Sequence, residues 1–150
     1  MALKARVDGD LKTALLGGDR FGVQVLRGLK AAILNEEVAS GKRDVGLDDT
    51  TIEQVVAREI KKRNESATLY EQNDRAESAE GERKEAEILS VYLPAQLSDD
   101  ELNVIIDEAI KKLGASGPAD IGKVIGAVKA QVGTSADGAT VAGLVKQALN

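Results

Sequence analysis

Apolar residues in this chain recur every three or four positions, the period of a helix with one buried face, and no stretch alternates as a strand would. Over 2–16, Leu3, Val7, Leu11, Ala14 and Leu15 share helical spacing, and Gly17-Gly18 ends the run. Asp19 is placed to cap a second helix over 20–40. That helix carries two apolar sides: Phe21, Val25, Leu29 and Ile33 on one, Val23, Leu34 and Val38 on the other. Two apolar sides predict a helix central to its bundle. After a turn rich in Gly and charge, a third helix runs to about residue 72. Thr50 with Glu53 fits a capping box, and Asp48 is an equal candidate for the cap. Its apolar set is Ile52, Val55, Val56, Ile60, Ala67 and Leu69. Asn73-Asp74 breaks it, and a fourth helix, densely charged at first and apolar at its end, is predicted over 75–93.

Pro94 is expected to stop that fourth helix, because its ring does not fit an interior turn. Ser98 and Glu101 then form a capping-box signature for a fifth helix that closes at Gly114. Gly117-Pro118 opens a sixth, with Ile121, Val124, Ile125, Val128 and Val132 as its apolar face, and Gly133 ends it. Asp137 is placed to cap a seventh, in which Val141, Leu144, Val145, Ala148 and Leu149 repeat. The expected fold is all-α: an N-terminal four-helix bundle over 1–94 and a small three-helix tail domain over 95–150.

Composition narrows the chemistry. The chain has 150 residues, no Cys and no Trp, and its only aromatics are Phe21, Tyr70 and Tyr92, so the core must be aliphatic. It also has no His. That removes the commonest general base and metal ligand, and the lack of Cys removes thiolate nucleophiles and cysteine-held zinc. No spaced loop of the calcium-binding kind is present, so no metal and no cofactor is expected. The formal net charge of −5 gives no global attraction to nucleic acid or anionic lipid, so RNA binding needs a local patch. No apolar run suggests a signal peptide or a bilayer span. The expectation is a cytoplasmic soluble protein without a membrane partner.

Four constellations stand out. On the sixth helix, Gly122, Gly126 and Ala130 lie away from the aliphatic side, with Lys123 and Lys129 beside them. Small residues admit another backbone and lysines supply charge for phosphate. The alternative is that the glycines let a neighbouring helix pack closely. Beyond Ser98 there are five lysines and no arginine against seven acidic residues, so phosphate contact is thin. In the third helix, Arg58 and Lys61-Lys62-Arg63 form the strongest basic run. Glu59 spaced to Arg63, and Lys61 spaced to Glu65, predict a salt-bridged solvated face. Arg27, among apolar neighbours, is expected to be a structural cation paired with Glu59 or Glu65, or else a ligand contact. Ser66 and Tyr70 near Lys62 have the spacing of a nucleophile pair, but no oxyanion loop accompanies them, so no catalytic residue is assigned.

Five stretches in order carry a resemblance: Val25-Leu26-Arg27 with Ala31-Ala32-Ile33 and Asn35-Glu36; Glu59 through Arg63; Tyr92-Leu93-Pro94 with Gln96-Leu97-Ser98; Gly122-Lys123-Val124; and Ala136-Asp137-Gly138. Over nearly its full length the chain resembles the GatB/YqeY-like family. The resemblance implies a tail similar to that of the GatB subunit of the tRNA-dependent amidotransferase, where the tail contacts tRNA and the catalytic centres lie elsewhere. The inherited label is carbon–nitrogen ligase with glutamine as amido donor. The Ser-Ser-Lys glutaminase centre and the ATP cradle have no counterpart here. Relatives often carry basic residues flanking Ala-Asp-Gly, where this chain has Ser135 and Ala139. The function expected is a non-catalytic tRNA- or RNA-binding accessory, with Lys123, Lys129 and Lys146 on phosphate and Gly122 and Gly126 allowing approach. The alternatives are a protein-interaction module serving the translation or tRNA-amidation machinery, and an amidotransferase-type enzyme.

Overall fold

The computed structural model describes residues 2–150. The described residues form an all-α protein without strands: α1 Ala2–Leu16, α2 Arg20–Ala39, α3 Asp49–Gln72, α4 Ala76–Ser90, α5 Asp99–Leu113, α6 Ile121–Val132 and α7 Gly138–Leu149. Short 3₁₀ turns, Pro118–Asp120 and Gly133–Ser135, flank α6. The helices fall into two compact units, one ending at Leu93 and the other spanning Pro94–Asn150.

In the first unit α2 packs against α1, α3 and α4. Its core is Val7, Val25, Leu26, Leu29, Ile33, Leu47, Ile52, Val55, Val56, Leu89 and Tyr92. α3 and α4 form a close antiparallel pair on small residues, with Ala67, Ala79 and Ala86 buried. The turn between them places Asp74 at φ 57, a conformation that short polar side chains tolerate. α2 is thus in contact with every other helix of its unit, yet it is buried on one side only. Leu34 and Val38, read as a second core stripe, are exposed, and so is Leu15 of α1. Each helix here has neighbours on one flank, so a second apolar stripe has nothing to meet.

The structure chooses between the two α3 caps and ends α4 earlier than expected. Asp48, not Thr50, caps α3 and accepts from the Thr51 N–H at 2.8 Å. α4 begins at Ala76 and ends at Ser90, four residues before Pro94. After the helix ends, Tyr92 turns inward. Its hydroxyl donates to Asp10 Oδ2 at 2.6 Å, and the Arg6 guanidinium lies 5.0 Å from the ring centroid. Burial, together with the Asp10 carboxylate, pushes the Tyr92 hydroxyl above its ordinary pKa. A buried phenol needs such a partner. The buried charge in this unit is Glu37, 3% exposed and held by Lys4 at 2.5 Å.

In the second unit Leu102, Ile106, Val124, Val128, Val132, Val141, Val145 and Leu149 form one aliphatic core shared by α5, α6 and α7. The Ser98 capping box is formed: its Oγ accepts from the Glu101 N–H, and the Glu101 carboxylate accepts from the Ser98 N–H. Gly114 ends α5 at φ 64, a left-handed position that suits glycine.

Tyr92→Phe removes one hydrogen bond from a charged acceptor. We expect a loss of about 1–2 kcal/mol in the first unit, read as a lower urea midpoint at unchanged m-value.

Candidate functional site

Pro118 sets the first turn of the tail's middle helix, and Asp120 Oδ2 accepts from the Ser116 N–H at 3.0 Å, fixing where α6 begins. α6 buries Val124, Val128 and Val132. The 3.6-residue period then turns Gly122, Lys123, Gly126, Lys129 and Ala130 outward, and all five are exposed. A β-carbon added at Gly122 or Gly126 would meet no atom within 4 Å. The close-packing reading of these glycines is therefore not realised among the described residues. They form an open strip of backbone edged by lysine.

The structure joins this strip to a second motif. Lys129 crosses to the start of α7, where its Cε and Nζ lie 3.2 and 3.3 Å from the point a β-carbon on Gly138 would occupy. Any side chain at 138 would have to displace the lysine. Asp137 caps α7 and accepts from the Thr140 N–H at 3.1 Å. The basic edge of α6 and Ala136-Asp137-Gly138, distant in sequence, are thus neighbours. Lys146 is exposed on α7, about 12 Å further along its axis. Among the described residues it makes no contact with Lys123 or Lys129. None of the three lysines has an ion-pair partner among the described residues, whereas Glu101, Asp120 and Asp137 serve helix starts. Ser135 and Ala139 stand on either side of Asp137; Ser135 is half-buried, and its carbonyl accepts from the Leu97 N–H at 2.8 Å.

In the first unit the candidate cations separate. Arg27 is exposed and makes no ion pair among the described residues, which corrects the expectation of a mostly buried, paired cation. Of the two partners expected for it, Glu59 is taken by Arg63, whose Nη1 meets Glu59 Oε1 at 3.3 Å and the Glu59 carbonyl at 3.0 Å. Arg63 is only 16% exposed, lies over Gly28 of α2, and its Nε has no hydrogen-bond partner. This is the structural cation of the unit. Sequence spacing shows the Glu59–Arg63 pair but not the glycine on α2 that makes room for it. Lys61 is exposed without the predicted Glu65 pair; Lys62 meets Glu59 instead at 3.0 Å. Glu85, near Arg63, is pushed above its ordinary pKa by burial more than the guanidinium lowers it. Among the described residues Ser66 makes no side-chain hydrogen bond to Tyr70 or Lys62. No group of three or more acidic, His or Cys residues that could hold a metal occurs among the described residues. No helix there is long and apolar enough to cross a membrane.

A profile of the YqeY-like protein family matches residues 4–149. Among curated proteins the chain is similar to the protein named altered inheritance of mitochondria protein 41, mitochondrial. The Lachancea thermotolerans sequence is 29% identical over 118 residues, which is 77% of this chain and 62% of that protein. The Kluyveromyces lactis sequence is 30% identical over 117 residues, with the same shares. The chain therefore spans under two thirds of these relatives.

Two outcomes follow from the geometry. Gly126→Ala has free space in a helix interior and should raise tail stability by about 1 kcal/mol, measured by slower hydrogen exchange of α6 amides. Glu85 holds its proton more tightly when folded than when unfolded, so its contribution to stability falls as pH rises from the ordinary carboxylate value through the raised one. Glu85→Gln should flatten that fall in a pH series of urea midpoints.

Proposed function

The chain belongs to the YqeY-like protein family, and from that premise we propose that it is a non-catalytic RNA-binding accessory whose tail takes tRNA. One observation carries the reading: the outward face of α6 is an open glycine strip with unpaired lysines at its edge. Gly122 and Gly126 let a phosphodiester backbone approach the helix. Lys123 and Lys129 neutralise phosphate, and Lys146 extends the track along α7. Phosphate neutralisation supplies most of the affinity in such complexes, and each contact made releases counterions. The affinity is modest, because the positions flanking Ala136-Asp137-Gly138 hold neutral Ser135 and Ala139. A link to tRNA-dependent amidation follows from the likeness to the GatB tail, with the chemistry performed by other subunits. Cytoplasmic action is part of this proposal. The fungal relatives carry a mitochondrial name.

Fluorescence anisotropy with labelled tRNA tests the reading. Three phosphate contacts predict a log–log slope of affinity against salt of about −2 to −3. Replacing Lys123, Lys129 and Lys146 together by Ala should bring the slope close to zero and leave the circular-dichroism melt unchanged. Binding that ignores salt, or the same affinity in the triple variant, would refute the tRNA reading and favour a protein partner on this face.

A further inference from the structure

The exposed Arg27 leads to a second surface, in the first unit and independent of the tail. Arg20, Gln24 and Arg27 sit at positions i, i+4 and i+7 of α2, so they form one row along the helix. That row borders a cleft of about 490 Å³ between the end of α1 and the start of α2, floored by Ala14, Leu15 and Val23. Neither arginine has an ion-pair partner among the described residues. The one carboxylate in the cleft, Asp19, is engaged as the α2 cap and accepts from the Gly22 N–H at 2.9 Å. Arg20 is the first residue of α2, where a cation opposes the helix dipole, so the fold itself gains nothing from its charge. Beside the row, Leu15 is 50% exposed and Leu16 81% exposed. Free guanidinium groups next to uncovered leucines form an unusual island on a chain of net charge −5.

We propose that this cleft docks an acidic amphipathic helix from a partner protein. The charges fix the partner's chemistry: two carboxylates about 10 Å apart, the separation of Arg20 and Arg27 along α2, with an aliphatic residue between them that settles on Leu15 and Val23. The guanidinium fork suits bidentate pairing with carboxylates. The apolar floor distinguishes this occupant from RNA, since Ala14, Leu15 and Val23 offer a phosphodiester backbone no polar contact and suit an aliphatic side chain.

The test is an NMR titration of the ¹⁵N-labelled full chain with a designed helical peptide. The peptide carries Glu at two positions seven apart and Leu between them. A control has Gln in place of both Glu. Shift changes should centre on the amides of Leu15, Gly18, Val23, Gln24 and Arg27. Affinity should fall at least tenfold with the Gln peptide and with the variant Arg20→Glu/Arg27→Glu. Because both arginines are exposed, that variant should keep the wild-type circular-dichroism melt; Arg27→Gln serves as the milder check. Replacing Lys123, Lys129 and Lys146 by Ala should leave peptide binding intact, which separates this surface from the tail face. Equal binding of the two peptides, shifts elsewhere, or no shifts at large peptide excess would overturn the proposal. So would loss of tRNA binding in the arginine variant, which would assign the row to nucleic acid.

Discussion

Both units depend on one constraint: the interior has to be filled almost entirely by Val, Leu, Ile and Ala. Only Tyr92 among the aromatics is buried. Side chains of this size fill narrow stripes, so helices sit close together and each buries one face. The α3–α4 pair shows the limit of this, with alanines where larger residues would hold the helices apart. The outer faces are then left free of structural duty. That is why the glycine strip of α6 and the arginine row of α2 stand open.

Charge is divided by role. In the tail, Glu101 and Asp137 accept from backbone N–H groups at the starts of α5 and α7, and Asp120 accepts from the Ser116 N–H in the turn before α6. Lys123, Lys129 and Lys146 have no ion-pair partner among the described residues even though the tail is acidic overall. Net charge is therefore a poor guide to what its surface attracts. In the first unit Arg63, and not Arg27, is the cation the fold requires, since it crosses Gly28 and fastens to Glu59.

Much of the helical plan was legible from local signals. The Ser98 box, the Asp19 and Asp137 caps and the glycine stops at 114 and 133 act within one turn, so short windows of sequence contain them. The partner of Tyr92 was not legible, because its hydroxyl donates to Asp10, eighty-two residues away. The fate of Arg27 was not legible either. Apolar neighbours along α2 suggested burial, but periodicity cannot say which of two apolar sides will find a partner.

The sequence by itself determined an all-α chain and its seven helices, since spacing and caps are local physics. It also determined that no His or Cys chemistry is available. Only the tertiary structure decided that Gly122 and Gly126 face open space, that Lys129 reaches Gly138, and that Arg63 took the carboxylate sought for Arg27. Those outcomes depend on which helices become neighbours, and neighbour choice is a property of the packed whole.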